Sequence, residues 1–384
     1  MKVEFYKHNL GAAEKAKMAE CLNGLFLTTG QYVKDFEIQF ASYLGAQHVV
    51  GLTSCTAALH LALLALDIGE GDEVITTPMT FIATANSILY VGAKPIFVDV
   101  EEATGLIDPK KIEAAITKRT KAIIPVHLYG QMCDMKAIKS LAQKYDLKII
   151  EDCAHCVEGQ RDGVRPGQLG DIACFSFYAT KNLTCGEGGA LSTNNPVIAE
   201  KVLMLRQHGM SKSAADRYVS VYQHWDMMEL GWKYNMSNIQ AALLIPQIGR
   251  IEDRWQEREL LYKEYIKVFD NISGVILPKI FPSAKSAYHL FTIRVHAGHR
   301  DSLLAALNAE GIGCAVNYRS VHLLSFYVKK YGFKAGDFLC SERIGNETIS
   351  LPFWIGLNSQ SINDIGNVVR GFLEREEIQQ HIAG

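Results

Sequence analysis

The sequence has no long hydrophobic run and no excess of charge of one sign. A membrane-spanning helix needs about 18 or more consecutive apolar residues, and the apolar runs of this 384-residue chain are shorter. Its 39 lysines and arginines nearly balance 41 aspartates and glutamates, so the charge gives no indication of nucleic acid or anionic membrane binding. Residues 1–7 are mixed and charged, unlike a secretory signal. We therefore expect a cytoplasmic protein with neither nucleic acid nor membrane partners.

Several common catalytic motifs are also missing. The chain has no G-x-G-x-x-G after a strand, no P-loop G-x-x-x-x-G-K-[ST], no H-E-x-x-H and no G-x-S-x-G. These absences disfavour dinucleotide-binding enzymes, P-loop nucleotide hydrolases, zinc proteases and serine hydrolases of the α/β type.

The nine cysteines do not form a disulfide pattern. Their number is odd and they are scattered along the chain, which is typical of reduced, buried cysteines. The run Cys153-Ala-His155-Cys156 resembles half of a zinc site, but no second Cys/His pair at ligand spacing accompanies it. We expect no metal site.

The chain contains alternating strand-like and helical segments between residues 45 and 190. The length suits two domains, and strands that alternate with helices predict a mainly parallel sheet with helices on both faces. Beyond about residue 245 a long, charged, amphipathic stretch leads into mixed segments. We therefore predict an α/β domain over 1–245 and a smaller α+β domain over 246–384. The predicted strands are 48–53, 72–76, 95–99, 121–126, 147–150 and 291–295; the predicted helices are 57–66, 82–90, 137–145, 248–269, 300–310 and 362–376.

A single lysine follows an apolar strand and precedes a glycine-rich turn. Lys181 lies five residues after Ser176 and is followed by Gly186-Glu-Gly-Gly189. A lysine amine can form a Schiff base with an aldehyde cofactor, while a hydroxyl and nearby backbone amides hold a phosphate. By itself this pattern is only suggestive, because most lysines are solvated surface charges.

A carboxylate stands where the same cofactor would need one. Asp152 lies at the carboxyl end of the predicted strand 147–150, and ligands of open α/β sheets gather at that edge. Pyridoxal phosphate requires a carboxylate beside its ring nitrogen. The alternative is that Asp152 only caps the following helix.

Three further segments fit the same cofactor. Thr53-Ser-Cys-Thr56 opens a helix, where free backbone N–H groups bind phosphate, although a simple helix cap would look the same. Phe81 follows another strand and could stack on a pyridine ring or pack in the core. His155 could lie beside the cofactor or be a structural histidine.

The order and spacing of these motifs resemble the DegT-type (DegT/DnrJ/StrS) family of pyridoxal-phosphate-dependent sugar aminotransferases, which has fold type I. The resemblance runs almost end to end. It is carried by the segments 27–30, 54–59, 80–84, 92–99, 126–130, 151–155, 175–177, 181–189 and 231–236.

The resemblance implies a role for each matching residue. Lys181 would be the Schiff-base lysine and Asp152 the partner of the pyridinium nitrogen, with Phe81 stacked on the ring and His155 at its edge. The phosphate would be bound by Ser176, Cys55 and Thr56. Lys233 or Asn235 would reach the phosphate in the neighbouring subunit of a homodimer with shared active sites. Substrate would be bound by Thr28, Tyr318, Arg319 and His322.

Two departures from the family pattern are visible. Many relatives read Ser-Gly-Thr where this chain has Ser54-Cys-Thr56, and many have Asn then Arg where it has Lys233 and Asn235. The cross-subunit contact therefore stays open between the last two residues. The segment 316–322 resembles members that aminate C4 of UDP-linked 4-keto sugars.

The family resemblance implies transfer of an amino group from glutamate to a nucleotide-linked keto sugar, with pyridoxamine phosphate as the intermediate form of the cofactor. Three alternatives remain: a sugar 3-dehydratase, which would carry His in place of Lys181; a keto-inositol aminotransferase; and a non-catalytic regulator. The sequence does not name the nucleotide or the sugar, and loops such as Ser211 to Trp225, on which that choice depends, contain no motif.

Overall fold

The computed structural model describes residues 2–211 and 224–383. Most of the loop from Ser211 to Trp225 therefore lies outside the described residues. Within the described part, no helix is both long and apolar enough to span a membrane.

A seven-stranded sheet forms the centre of the larger unit. Its strands are β1 (His48–Leu52), β2 (Glu73–Thr76), β3 (Lys94–Phe97), β4 (Thr120–Ile123), β5 (Lys148–Asp152), β7 (Ile172–Ser176) and β8 (Gly189–Thr193). They lie in the order β1-β8-β7-β5-β4-β2-β3. Only β8 runs antiparallel to its neighbours, so the predicted mainly parallel sheet is confirmed.

Helices cover both faces of this sheet because its strands are apolar on both sides. Adjacent residues of β5 show the alternation: Ile150 packs in the cluster that contains Leu59, whereas Ile149 packs with Ile138. The helices are α1 (Ala12–Leu22), α2 (Gln31–Leu44), α3 (Cys55–Ala65), α4 (Ile82–Tyr90), α5 (Pro109–Ala115), α6 (Met135–Tyr145), α7 (Pro196–Leu205) and α8 (Asn238–Ile248).

A second hydrophobic cluster is built mainly from residues after 260. It packs around the antiparallel pair β10 (Phe291–Arg294) and β11 (Thr348–Leu351). The helices of this region are α9 (Ile251–Phe269), α10 (Ala297–Ala309), α11 (Ser325–Tyr331), α12 (Leu339–Glu347) and α13 (Ser359–Ala383), and two short strands, β6 (Gln160–Arg161) and β9 (Ala284–Lys285), pair with each other.

The N-terminal segment joins this second cluster. Val3 is 5% exposed, packs in the same core as Phe291 and Ile365, and forms a parallel bridge with Ile312. The division at residue 245 stays a prediction, and residues 2–4 belong by their packing to the C-terminal unit.

Candidate active site

Asp152 and Ser176 are brought together by neighbouring parallel strands. Asp152 ends β5 and Ser176 ends β7, and Asp152 is in register with Cys174. The carboxyl ends of both strands therefore open on the same edge of the sheet. Lys181 follows in a turn whose first bond joins its N–H to the carbonyl of Tyr178 at 2.9 Å.

The carboxylate of Asp152 is buried but bonded. Oδ2 accepts a hydrogen bond from Thr84 at 2.8 Å, and Oδ1 accepts from the backbone N–H of Ala154 at 3.1 Å. Burial raises the pKa of Asp152, while these bonds and the nearby Lys181 oppose the shift. The bond to Ala154 is the cap-like contact that the sequence left as an alternative.

The amine of Lys181 loses its proton more readily than an ordinary lysine does. Burial lowers the pKa of Lys181 to about 8, against the opposing attraction of Cys55 and Asp152. A lysine poised near neutrality can act as a nucleophile and as a proton carrier.

His155 is held in one tautomer. Its Nδ1 accepts the backbone N–H of Tyr129 at 3.2 Å, so the ring proton lies on Nε2, which is 3.0 Å from the hydroxyl of Tyr318. Burial, Lys181 and His289 lower the pKa of His155 well below its ordinary value. The Tyr129 hydroxyl donates in turn to the carbonyl of Asn317.

A buried polar chain that the sequence did not reveal continues from this histidine. The ring of His289 lies 4.4 Å from that of His155, and its Nδ1 is 3.4 Å from Oδ1 of Asn182. Asn182 also donates to Glu158 at 3.0 Å and to the carbonyl of Ala287 at 2.9 Å. Glu158 forms a buried ion pair with Arg258. The only sequence signal was the position of Asn182 next to Lys181.

The start of α3 and the start of β8 make a close backbone contact. A Cβ on Gly189 would lie 2.2 Å from the carbonyl carbon of Ser54 and 2.4 Å from the nitrogen of Cys55. Ser54 caps the helix by accepting from Ala57 at 3.1 Å. Cys55 is buried and Thr56 is half-buried in the first turn, where free N–H groups attract anions.

Phe81 and Tyr318 bound the mouth of the site. Phe81 is 54% exposed at the N-cap of α4, and its ring centroid lies 5.8 Å from that of Tyr318. An exposed aromatic face at this edge is available for stacking.

The candidate cross-subunit residues lie on a surface loop. Lys233 Nζ bonds Oδ1 of Asn235 at 2.6 Å, and Asn235 donates to Thr29 Oγ1 at 2.7 Å. Asn235 also forms a bridge with Leu52, just before α3. Thr28 is exposed beside this loop.

The three substrate-binding candidates from the C-terminal half, Tyr318, Arg319 and His322, lie in different environments. Tyr318 reaches the site and Arg319 is exposed, but His322 is fully buried. Its Nε2 lies 3.0 Å from Oε1 of Glu342, and its ring packs on Phe338. The structure therefore does not bring His322 to the cleft, because the short helical turn at 321–323 directs its side chain inwards.

The run Cys153-Ala-His155-Cys156, which resembles half of a zinc site in sequence, makes other contacts in the structure. His155 is committed to Tyr129 and Tyr318 as described. Among the described residues, a set at metal-ligand distances comprises His127, Glu151 and Cys153. There His127 Nδ1 accepts the N–H of Cys133 at 3.2 Å, and Nε2 lies 2.9 Å from Glu151. These bonds occupy both ring nitrogens.

The residues present fit pyridoxal phosphate. A buried carboxylate, a lysine with a lowered pKa, an exposed aromatic ring and a helix start with a hydroxyl beside it converge at one edge of the sheet. These are the groups needed to hold the ring nitrogen, the aldehyde carbon, the ring face and the phosphate.

Comparison with known proteins agrees with this geometry. Residues 8–370 match the DegT/DnrJ/EryC1/StrS aminotransferase family. The chain belongs to this family. The spore coat polysaccharide biosynthesis protein SpsC of Bacillus subtilis is 42% identical over 95% of both chains, and the GDP-perosamine synthase of Caulobacter vibrioides is 35% identical over 93% of this chain and 94% of its own.

Solved structures of sugar aminotransferases share the whole fold. DesV of S. venezuelae, in complex with a ketimine intermediate, has a TM-score of 0.89 at 34% identity and covers 97% of this chain and 98% of its own. The pyridoxamine-phosphate form of the putative sugar aminotransferase Spr1654 from Streptococcus pneumoniae has a TM-score of 0.92 at 29% identity, with 97% and 100% covered. As a DegT/DnrJ/EryC1/StrS aminotransferase, the chain is a fold type I enzyme that uses pyridoxal phosphate and acts on sugars.

Proposed function

We propose that this aminotransferase moves the amino group of glutamate to a nucleotide-linked keto sugar, at C4 of a UDP-4-keto-6-deoxy sugar, in the biosynthesis of a surface glycan or another amino-sugar product. The observation that carries the transfer is that the Lys181 amine, with a pKa of about 8, feels the charge of the buried Asp152 carboxylate, which ends β5 at the carboxyl edge of the sheet. The polysaccharide role of one relative and the GDP-sugar name of another support a nucleotide-linked acceptor.

The cofactor supplies an electron sink that acidifies the carbon bearing the amino group, provided that its ring nitrogen stays protonated. Asp152 maintains that proton, and its own position is fixed by Thr84 and Ala154. Ser176, Cys55 and Thr56 bind the phosphate at the start of α3. Phe81, whose ring is exposed at the mouth of the site, would stack on the ring of the cofactor.

Lys181 carries the proton between the two halves of the reaction. Its free amine removes the proton from the glutamate carbon and later returns a proton to the sugar carbon. A pKa of about 8 suits both directions, because the protonated and neutral forms are both populated near neutral pH. His155 directs its Nε2–H towards the cleft. The hydroxyl of Tyr318 accepts this hydrogen bond when no ligand is bound.

We also propose a cytoplasmic homodimer with shared active sites, in which Lys233 or Asn235 reaches the phosphate bound by the neighbouring subunit. The loop that contains Thr29 and the loop that contains Asn235 lie side by side, joined by the hydrogen bond from Asn235 to Thr29, and both support this contact. The end of α1 and these two loops expose large apolar side chains, which is typical of subunit contacts: Leu22, Leu25, Leu27, Trp225, Met227, Met228 and Leu230.

The test has two stages. The enzyme loaded with pyridoxal phosphate is first mixed with ¹⁵N-glutamate, and its absorbance should change to that of the pyridoxamine form. Keto sugars linked to UDP, dTDP or GDP are then added, and the amino sugar should gain ¹⁵N by mass spectrometry. Lys181→Ala serves as the inactive control.

Each alternative predicts a different result. A dehydratase would release a deoxygenated sugar, and a keto-inositol aminotransferase would react with keto-inositol alone. A regulator would show no transfer with any acceptor. Amination at C3 instead of C4 would overturn the proposed position but leave the transfer intact.

A further inference from the structure

Tyr129 is bonded to three segments that are far apart in the sequence. Its backbone N–H donates to Nδ1 of His155 at 3.2 Å, and its carbonyl accepts the N–H of His289 at 3.3 Å. Its hydroxyl donates to the carbonyl of Asn317. One residue therefore joins the loop that follows β5 to two segments of the C-terminal half.

The backbone of Tyr129 lies in the left-handed region, with a φ of 58° and a ψ of 6°. This region is unfavourable for a residue that has a side chain. Such a conformation persists where the surrounding structure holds it, and it is concentrated at functional sites. Gly130 follows with a φ of 103°, and a Cβ there would lie 3.1 Å from the nitrogen of His289. The turn therefore brings Tyr129 close against the segment 287–289.

The hydroxyl of Tyr129 holds the backbone that carries Tyr318. Burial raises the pKa of Tyr129, against the opposing effects of Thr348 and Arg294. The hydroxyl therefore keeps its proton at neutral pH and donates it to the carbonyl of Asn317, which can only accept. That carbonyl belongs to the peptide bond between Asn317 and Tyr318. The position of the Tyr318 ring thus depends on this hydroxyl.

Tyr318 stands between two groups of the cleft. Its hydroxyl accepts from Nε2 of His155 at 3.0 Å, and its ring centroid lies 5.9 Å from that of His155 and 5.8 Å from that of Phe81. Tyr129 holds both partners of the bond between His155 and Tyr318, the histidine through its backbone and the tyrosine through its hydroxyl. The contacts therefore form a closed loop of four residues: His155, Tyr129, Asn317 and Tyr318.

We propose that Tyr129 is a positioning residue, which holds Tyr318 against His155 and thereby shapes the mouth through which the keto-sugar acceptor reaches the cofactor. The inference rests on the proposed function, because it assigns Tyr318 to the wall that the acceptor meets. Among the described residues, the hydrogen bonds of Lys181 and Asp152 do not involve Tyr129. The steps on glutamate should therefore depend on Tyr129 less than the step on the sugar does.

The first experiment measures how fast the Nε2 proton of His155 exchanges with solvent, by NMR of the cofactor-free protein labelled with ¹⁵N-histidine. The signal is identified by its absence in His155→Asn. Tyr129→Phe removes the hydroxyl and retains both backbone bonds. We expect the proton to exchange about fivefold to tenfold faster in this variant, because the loss of a typical hydrogen bond shifts a local opening equilibrium by about that factor.

A double variant tests whether Tyr129 acts through Tyr318. In Tyr318→Phe the Nε2 proton has lost its acceptor already, so exchange should be fast in this variant alone. Tyr129→Phe/Tyr318→Phe should then exchange no faster than Tyr318→Phe, because the two changes affect the same bond. Thermal melting of each variant reports that the fold is retained.

Tyr265→Phe is the matched control. Tyr265 is a fully buried tyrosine whose hydroxyl also donates to a backbone carbonyl, that of Pro352, within the hydrophobic cluster of the C-terminal unit. The control removes the same kind of bond at a place outside the closed loop of contacts. It should destabilise the fold in urea about as much as Tyr129→Phe does, but leave the exchange of the His155 proton unchanged.

The second experiment compares the two halves of the reaction in single turnovers followed by absorbance. The pyridoxal-phosphate form of Tyr129→Phe should react with glutamate at a rate within about twofold of the wild type. Its pyridoxamine form should react about fivefold to tenfold more slowly with a UDP-4-keto-6-deoxy sugar, since Tyr318 is no longer held at the mouth. Tyr265→Phe should match the wild type in both halves.

Two results would overturn the proposal. One is an exchange rate of the His155 proton in Tyr129→Phe that equals the rate in Tyr265→Phe. The other is an equal slowing of both halves of the reaction, which is the result of a general loss of structure. If the wild type transfers no ¹⁵N from glutamate to any acceptor, the proposed function fails, and the exchange measurement still decides whether Tyr129 holds Tyr318 against His155.

Discussion

The side chains of His155 and Tyr318 are joined by a hydrogen bond of 3.0 Å whose direction is fixed by the backbone. Because Nδ1 of the histidine accepts the N–H of Tyr129, only Nε2 can donate, and the tyrosine oxygen is the acceptor. This hydrogen bond thus joins two residues that are 163 positions apart in the sequence, at the mouth of the site.

Removal of the tyrosine hydroxyl should impair catalysis without unfolding the protein. In Tyr318→Phe the Nε2 proton of His155 loses its acceptor, at a cost of about 1 kcal/mol or more. We expect turnover with the sugar to fall about fivefold to tenfold in steady-state kinetics. Tyr331→Phe, on α11, is the control and should behave like the wild type. Equal kinetics for both variants would contradict the role of the bond.

Replacement of the buried Asp152 carboxylate should lower the activity of the enzyme but not the stability of its fold. Asp152→Asn keeps the shape of the side chain and one acceptor oxygen, which can still accept from Ala154 while the new NH₂ group faces the Thr84 hydroxyl. It cannot hold a proton on the cofactor nitrogen, so turnover should fall by about 100-fold or more. Burial raises the pKa of Asp152. The stability that its neutral form provides is therefore present below the ordinary pKa and is lost as pH rises through the raised value.

At pH 7 the cofactor-free Asp152→Asn variant should therefore melt at a temperature equal to that of the wild type or up to roughly 2 °C higher. Calorimetry checks this. Asp146→Asn changes an αL helix-cap residue that asparagine tolerates, and it should alter neither activity nor melting. A large loss of stability in Asp152→Asn would show that the ionised carboxylate supports the fold.

The reactivity of Lys181 should follow its lowered pKa. Only the neutral amine attacks an aldehyde, and the pKa of this amine is about 8. The rate at which the cofactor-free protein takes up pyridoxal phosphate should therefore rise with pH and level off above about 8. Stopped-flow absorbance measures this rate. A rate that continues to rise to pH 10 would indicate an ordinary, solvated lysine.

An added methyl group at Gly189 should disturb the start of α3. Gly189→Ala places a carbon within 2.5 Å of backbone atoms of Ser54 and Cys55, and backbone cannot move away as a flexible side chain can. We expect a loss of about 1–3 kcal/mol in urea unfolding together with weaker cofactor binding. Gly249→Ala, where no atom lies within 4 Å, should be neutral or slightly stabilising.

The sheet and the position of Asp152 at its carboxyl edge were predictable because they depend on local patterns. Alternating strands and helices fix a parallel sheet, and residues at the carboxyl ends of its strands meet at one edge. The predicted strand 147–150 ends two residues early, since the structure continues β5 to Asp152. The predicted helix 248–269 begins later, at Ile251, after the break at Gly249 and Arg250.

The contacts between distant segments were not predictable. His289 and Tyr129 reach the site from loops whose paths are set by packing, and no spacing rule connects them to Lys181. The same holds for Val3, which joins a core some 300 residues away in sequence. His322 belongs to a segment that matched the family only loosely, and its ring is directed away from the cleft to Glu342.

Asn182 gives the reactive amine a mechanical link to the C-terminal half of the molecule. Its amide holds Glu158, which pairs with Arg258 of α9, and it also holds the carbonyl of Ala287. Neighbouring Cα atoms are about 3.8 Å apart, so a displacement of either anchor arrives at Lys181 through a single peptide unit. A change in the position of α9 would therefore alter the backbone next to Lys181 without any direct contact between the two.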